Sequence, residues 1–208
     1  MPVPPFEKYI IEPFNMSEPQ FWSFMKNYMD HRIDAKLLHS FYDYDLLMKN
    51  QTDGYERHFL KLTAAGTKET LGVALVNVDY TAQGEYRAYI RHLTTTDATK
   101  IQTAIDQVVE FIWKNIYCQH IRLELYHQTD AAGKIQADPE MKAAFTKVGF
   151  KWKTLTNDPV TGKRAQIMQL NRPATAPKFE GTELRLVDAG KEPVTIKAGM
   201  VMELSSEP

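Results

Sequence analysis

Apolar side chains recur with helical spacing through residues 97–115. The spacing i, i+4, i+7, i+8, i+11 is followed by Ile101, Ile105, Val108, Val109 and Ile112. Side chains at these intervals share one face of an α-helix. Thr96 or Asp97 can cap the start of this helix. The pattern therefore predicts a long amphipathic helix that covers a hydrophobic core.

Before this helix the pattern has a period of two. It predicts strands at residues 57–63, 71–78 and 85–94, separated by turn signals. Residues 71–78 are nearly all apolar, so we expect this strand to be buried on both faces. Short connections between three successive strands favour an antiparallel meander.

After the helix, residues 120–126 alternate as a further strand. Because a helix separates this strand from residues 85–94, the two can lie parallel through a right-handed crossover. Asp138 and Pro139 are typical of a helix start, and Gly149 is suited to its end. Residues 151–156 and 165–170 predict a β-hairpin.

The two ends of the chain are less regular. Residues 8–14 predict a short strand, Ser17 a helix start, and residues 33–49 a second helix. Proline-rich residues 172–177 read as a linker, and two strand-like runs follow at residues 183–187 and 194–204. The predicted organisation is a main domain of residues 1–172 with a linker and C-terminal extension of residues 173–208. The two strand-like runs of the extension must add to the main sheet, dock on a partner or belong to an extension.

Composition narrows the classes of protein to consider. The 208 residues are 43% hydrophobic with a formal net charge of −1, as expected of a globular domain with no basic excess for nucleic acid. No apolar run approaches the length of a membrane span. The single cysteine, Cys118, allows neither an internal disulfide nor a cysteine metal cluster, and we expect a packed thiol there. With no secretory signal pattern at the N-terminus, we expect an intracellular, cytoplasmic protein without a metal.

The order of these elements, together with residues 141–150, resembles the GNAT acetyltransferase superfamily over about residues 6–171. Lys147, Gly149 and Phe150 fit the helix-plus-Gly-Phe signature of that family. The resemblance implies an α/β (α+β) fold: a mixed, mostly antiparallel sheet with flanking helices, here with a C-terminal strand-bearing extension. It also implies acetyl-coenzyme A as cofactor, bound between the strands at residues 85–94 and 120–126.

The cofactor positions that the resemblance implies lie at the start of the long helix. They are Thr94, Thr95 and Thr96 beside the cofactor, and Lys100, Ile101 and Gln102 at its pyrophosphate. The family pattern is Arg/Gln-x-x-Gly-x-Gly/Ala, in which glycines let backbone amides approach the phosphates. Here Lys100 and Gln102 replace both glycines, and Asp97 adds a negative charge. These departures predict cofactor binding that is weakened rather than excluded.

The residues for proton transfer also depart from the family pattern. Phe145 stands where many members have a tyrosine that protonates the departing thiolate. The remaining catalytic candidates are His92, Glu124 and Tyr126, on or beside the two central strands. The alternative is that they are ordinary polar residues of strands and strand ends.

Three functions remain open from the sequence. The favoured one is a GNAT-fold protein with weak or no catalysis, serving as a structural or interaction subunit of a larger assembly. Its protein partner would bind through residues 173–208. The alternative is an active acetyl-coenzyme-A-dependent N-acetyltransferase that transfers the acetyl group directly to an amine. A third is a small-molecule or peptide sensor that uses the same cleft.

Overall fold

A computed structural model describes residues 7–13, 38–39, 56–67, 69–81, 83–129, 132–157, 162, 164–180, 183–186 and 194–197. The helix predicted from Ser17, and most of the helix predicted at residues 33–49, lie outside these residues.

Apart from two short strands that were not predicted, at Leu38–His39 and Ile135–Ala137, the described strands and helices follow the predicted order. The strands are β1 (Tyr9–Pro13), β2 (Leu38–His39), β3 (Glu56–Ala64), β4 (Gly72–Tyr80), β5 (Tyr86–Thr95), β6 (His120–Thr129), β7 (Ile135–Ala137), β8 (Lys151–Asn157), β9 (Arg164–Asn171), β10 (Glu183–Leu186) and β11 (Val194–Lys197). The helices are α1 (Ile101–Asn115), preceded by one 3-10 turn (Ala98–Lys100), and α2 (Pro139–Val148).

One sheet organises the molecule, in the order β1-β3-β4-β5-β6-β9-β8, with β2 also paired to β5 and β7 to β6. The β5–β6 pair is parallel, and the other pairs in this sheet are antiparallel. The predicted meander and the predicted parallel crossover are therefore both confirmed. β10 and β11 pair with each other as a separate two-stranded sheet.

The helix boundaries follow the local signals in the sequence. The buried face of α1 is formed by Ala104, Ile105, Val108, Val109, Ile112 and Trp113. Asp138 caps α2 by accepting hydrogen bonds from the amides of Glu140 (2.8 Å) and Met141 (3.1 Å). Gly149 ends α2 with φ of 110°, a left-handed conformation that glycine adopts without strain.

The core lies between the sheet and these helices. As predicted, β4 is buried on both faces, with Val73, Ala74, Leu75, Val76 and Val78 all at 6% exposure or less. β4 also approaches β5 very closely at Gly72, where a Cβ atom would lie 2.4 Å from the carbonyl oxygen of Thr94. The strand therefore needs a residue without a side chain at this position.

The helix predicted for residues 33–49 is wrong at Leu38–His39, which form strand β2. Their backbones pair with Leu93 and His92 of β5. Leu37, Leu38 and Phe41 have helix-like spacing, but pairing with an available strand edge decides the local structure of Leu38 and His39. This is a case of tertiary context overriding a local pattern.

The outer edge of the sheet is fastened to α1 at Tyr9. The side chain of Gln107 accepts a hydrogen bond from the amide of Tyr9 and donates one to its carbonyl oxygen, the latter at 2.8 Å. Tyr9 is paired with Ala64 of β3 on its other side. One glutamine side chain thus provides both bonds that a further strand would make at this residue.

Residues 172–180, part of the predicted linker and extension, lie along the end of α1. The Arg172 guanidinium donates to the carbonyl oxygens of Trp113 (3.1 Å) and Pro177 (2.5 Å) and lies 5.1 Å from the centre of the Trp113 ring. The amide of Glu180 donates to the carbonyl oxygen of Lys114 at 2.6 Å. The boundary between residues 172 and 173 stays a prediction. No described helix is long and apolar enough to span a bilayer.

Candidate functional site

The two central strands, β5 and β6, pair over only part of their length. Their parallel register runs from Arg87 opposite His120 to Ile90 opposite Leu123. Beyond this point β5 pairs with β2, whereas β6 continues against β9 as far as Tyr126 and against β7 from His127. The strands therefore part after Ile90 and Leu123, and the candidate site is the region where they separate.

A β-bulge at Arg91 lies at the point of separation. Across the β4–β5 pair, Val76 faces Ile90 and Leu75 faces His92, so Arg91 is the extra residue of β5. Bulges of this kind bend a strand and redirect its side chains. Leu93 pairs with Ala74, and both belong to the core cluster. By strand alternation His92 and Thr94 then face the opposite side of the sheet.

On that opposite side, Glu124 lies at the centre of a hydrogen-bonded cluster. The phenol of Tyr89 donates to Glu124 Oε1 at 2.7 Å, and the phenol of Tyr126 donates to Oε2 at 2.9 Å. Arg91 Nη1 lies 3.9 Å from Oε2, and its guanidinium lies 4.9 Å from the centre of the Tyr89 ring. The structure thus brings together two of the three predicted catalytic residues, Glu124 and Tyr126, and adds Tyr89 and Arg91.

Burial and the neighbouring Glu124 keep the Tyr89 phenol protonated. Burial raises the pKa of the Tyr89 phenol far above its usual value, and the charge and hydrogen bond of Glu124 raise it further. Tyr89 therefore remains a hydrogen-bond donor at physiological pH. The Glu124 side chain is 15% exposed, and both its oxygens accept a phenolic hydrogen bond. This arrangement therefore fixes the Glu124 side chain in place while leaving it partly accessible to solvent.

The third predicted catalytic residue, His92, is placed separately by the strand register. It lies one residue beyond the bulge, opposite Leu75 of β4 and His39 of β2, and is only 5% exposed. A role for His92 in proton transfer stays a prediction.

The three predicted cofactor threonines make contacts within the protein. Thr94 and Thr95 are 2% and 0% exposed, and the Thr95 hydroxyl shares a hydrogen bond with the Tyr9 phenol. Thr96 donates to the carbonyl oxygen of Leu71 from its amide (2.8 Å) and from its hydroxyl (3.1 Å). These contacts hold the end of β5 against β1 and β4.

The sequence predicted Thr96 or Asp97 as the cap of the long helix; in the structure Asp97 caps the 3-10 turn Ala98–Lys100, which leads into α1. Its carboxylate accepts from the Thr99 amide (2.9 Å) and the Thr99 hydroxyl (2.6 Å). Its carbonyl oxygen accepts from the Lys100 amide at 3.0 Å, and the Ile101 amide donates to Ala98. The Thr99 hydroxyl lowers the pKa of Asp97, with a small further contribution from Lys100. Asp97 is therefore a charged group just before the N-terminal end of α1.

The remaining predicted cofactor residues make their contacts with α1 or with the hydrophobic core. Ile101 packs against the hydrophobic core, and the Gln102 side chain donates to Asp106 Oδ1 at 3.0 Å. The amides of Thr99, Lys100 and Ile101 thus all have acceptors within the chain.

Phe145 and Cys118 are both core residues. Phe145 is 0% exposed and meets the ring of Phe150 edge-on, with 5.2 Å between ring centres. Cys118 is 3% exposed, and burial raises the pKa of its thiol to about 12, which is typical of a packed rather than a nucleophilic cysteine. No group of three or more His, Cys, Asp or Glu side chains suited to a metal occurs in the described part of the chain.

Sequence reasoning missed Tyr89 and Arg91 as members of the site. Their signal was weak, because it depends on the register between β5 and β6, and a helical crossover leaves that register open. The alternation of Arg122, Glu124 and Tyr126 along β6 was the usable clue, since residues two apart share a face.

Comparison with known proteins identifies the fold. No protein-family model matches the sequence, and a search of curated proteins found no match. An acetyltransferase from Thermus thermophilus matches over 80% of this chain and 98% of its own, at 12% identity and a TM-score of 0.53. An aminoglycoside 6'-N-acetyltransferase complexed with coenzyme A matches over 79% and 99%, at 15% identity and a TM-score of 0.51. Arabidopsis thaliana Naa50, bound to a bisubstrate analogue, matches over 80% and 100%, at 11% identity and a TM-score of 0.50.

These matches cover about four fifths of this chain and nearly all of each matched chain. The chain therefore has the GNAT acetyltransferase fold, as the sequence predicted.

Proposed function

We propose that this chain is a GNAT-fold interaction subunit that does not use acetyl-coenzyme A for catalysis. The observation that carries the proposal is the helix start at Asp97. A pyrophosphate at a helix N-terminus needs backbone amides that are free to donate and an environment without negative charge. Here the amides of Thr99, Lys100 and Ile101 already donate within the chain, and a carboxylate lies among them.

The pairing of β2 with β5 supports the same function. Where β5 leaves β6, its outer backbone groups at His92 and Leu93 pair with Leu38 and His39 of this chain. An extended ligand in the cleft would compete with that pairing. The residues present at both places therefore do not fit coenzyme A.

The test is titration of the full-length protein with acetyl-coenzyme A in a calorimeter. We expect no saturable heat up to about 1 mM, an affinity too weak for a working cofactor. The matched variant is Asp97→Gln/Lys100→Gly/Gln102→Gly, which restores the glycine pattern. We expect acetyl-coenzyme A to raise its melting temperature more than that of the natural sequence. Micromolar, stoichiometric binding by the natural sequence would overturn the proposal.

The alternative function, an N-acetyltransferase, is favoured by the cluster around Glu124. A carboxylate at the separation of β5 and β6, held by Tyr89 and Tyr126, is suited to accept a proton from an amine. Two of the structural matches, to proteins with coenzyme A or a coenzyme A analogue bound, are compatible with this function. Acetyl transfer to any member of a broad amine panel, abolished by Glu124→Gln, would establish the alternative in place of the first proposal.

A further inference from the structure

Strand β8 forms an exposed end of the main sheet. It is the last strand in the order and pairs with β9. From Lys151 to Asn157 every residue is exposed except Thr156, which is half-buried. Among these residues are two large hydrophobic side chains, Trp152 at 59% exposure and Leu155 at 39%. A strand edge with an exposed tryptophan is a costly surface to leave open to water.

The chain around β8 is strongly basic. Between residues 141 and 171 the sequence contains six lysines or arginines and one aspartate, although the whole chain has a net charge of −1. Within the described part of the chain, no ion pair involves the exposed basic side chains Lys142, Lys147, Lys151, Lys153 and Arg164. This positive charge is therefore not neutralised by the described fold.

A shallow cleft lies at the far end of the same hairpin. It has a volume of about 260 Å³ and is lined by Leu155, Thr156, Asn157 and Arg164. An apolar wall from Leu155 and a cation from Arg164 suit a side chain that ends in a carboxylate.

We propose that β8 binds an acidic, extended polypeptide segment of a partner protein. The segment pairs along residues 154–157, covers Trp152, and places its carboxylates against Lys151, Lys153 and Arg164. Backbone pairing supplies affinity that is independent of sequence, while Trp152 and the basic side chains select the partner. This inference deepens the proposed interaction role and rests on it.

A second copy of this chain is a poorer fit to the same edge. Two β8 strands would bring the same lysines together, and like charges oppose association. Lys153 is also the extra residue of a bulge between Trp152 and Thr154, and lysines and bulges both discourage pairing between identical edges. An acidic partner is attracted to these lysines rather than repelled by them. It also needs to pair only with the regular part of β8 after the bulge.

The experiment measures binding of a fluorescein-labelled, nine-residue peptide, in which glutamate and valine alternate, to the full-length protein. Three other probes are compared with it: the same peptide with lysines for glutamates, the same peptide N-methylated at alternate amides, and a single-stranded uridine oligonucleotide. The protein variants are Lys151→Glu/Lys153→Glu and Trp152→Ser. Lys178→Glu, an exposed lysine outside the strand, is the matched control. Melting temperatures confirm that each variant folds.

We expect the glutamate peptide to bind and the lysine and N-methylated peptides to bind at least about tenfold more weakly. The double charge reversal and Trp152→Ser should each weaken binding of the glutamate peptide by roughly tenfold, and Lys178→Glu by less than about twofold. Failure of the glutamate peptide to bind at about 1 mM would overturn the inference. The inference would also be overturned if the N-methylated peptide bound as tightly as the unmodified glutamate peptide. The same holds if the oligonucleotide bound more tightly than the glutamate peptide and lost affinity for Lys151→Glu/Lys153→Glu.

This outcome is separable from that of the proposed function. If acetyl-coenzyme A binds the natural sequence tightly while the peptide results hold, the proposed function fails and the β8 surface stands. If neither ligand binds, the β8 inference fails and the conclusion about the cofactor stands.

Discussion

At the scale of single residues, Asp97 places a negative charge at the turn that leads into α1. Its carboxylate satisfies donors at the start of the helix with a charge that belongs to the protein. The negative group that favours a helix N-terminus is therefore already present, so an external anion gains little there.

Replacing Asp97 tests this role through stability. Asp97→Ala should lower the free energy of unfolding by about 1 kcal/mol, because the 3-10 turn that leads into α1 loses its capping hydrogen bonds. Asp97→Asn, the control, should retain most of it, since an asparagine oxygen also accepts from the amide. The measurement is urea denaturation at neutral pH, and an alanine variant as stable as the natural protein would contradict it.

The same pair of proteins gives a dependence on pH. The pKa of Asp97 is lowered in the folded state, so its stabilising effect is present above the ordinary carboxyl pKa and is lost as pH falls through the folded value. The natural protein should lose this part of its stability in acid, and Asp97→Asn should not. Because Asp97 is solvent-exposed, added salt should reduce the difference.

Phe145 provides a second test at this scale. Phe145→Tyr should destabilise the protein by about 1–3 kcal/mol, because its hydroxyl would enter a 0% exposed site against Phe150 without a partner. Tyr117→Phe is the comparison, since it removes a hydroxyl from a residue that is 41% exposed and should change stability by less than about 0.5 kcal/mol. A Phe145→Tyr variant of unchanged stability would mean that the new hydroxyl finds a partner or water.

At the scale of elements, the bulge in β5 and the closeness of β4 to β5 define the site. The bulge at Arg91 turns β5 away from β6 and brings Arg91 towards Glu124. Past the bulge, β4 holds β5 through to Thr95 opposite Gly72. The geometry of the cleft therefore depends on β4 as much as on the two strands that form it.

Gly72→Ala should reveal this dependence. The added Cβ would lie 2.4 Å from a backbone oxygen of Thr94, so the strands must move apart at a cost of about 1–3 kcal/mol. Gly66→Asn is a suitable control, because Gly66 has φ of 79° with open space around it and asparagine tolerates that conformation. Thermal unfolding of both variants checks the expectation, which fails if the two shift equally.

The elements also differ in how far the sequence alone predicts them. Periodicity and caps were sufficient for α1, α2 and the meander, because burial of one face and capping hydrogen bonds act locally. They were insufficient for β2, where Leu38 and His39 respond to an edge formed by residues far along the chain. Glu124 and Tyr126 were named from the sequence as separate candidates, whereas Tyr89 was not, since its position beside Glu124 follows from a parallel register that local patterns do not encode.

At the scale of the whole molecule, residues 172–180 join the end of the sheet to the end of α1. Arg172 follows β9 and contacts Trp113 through its guanidinium. Further along the segment, the ring of Phe179 meets the ring of Tyr117 edge-on. The fold therefore continues past the last strand of the main sheet.

Arg172→Ala should destabilise the protein by about 2 kcal/mol, because two charge-assisted hydrogen bonds and an aromatic contact are lost. Lys178→Ala, an exposed site six residues later, should change stability by less than about 0.5 kcal/mol. Urea denaturation of the full chain measures both. Equal stability of the two variants would show that residues 172–180 contribute little to the folded domain.

The two hydrogen bonds between the Gln107 side chain and the Tyr9 backbone have a consequence for hydrogen exchange. The amide proton of Tyr9 is held by a side chain of α1 rather than by β3, so its exchange with solvent reports on the helix. In deuterated buffer it should exchange together with the amides in the middle of α1, while the amides of β1 that bond to β3 follow the sheet. A single strand thus carries separate reporters for the two layers of the molecule.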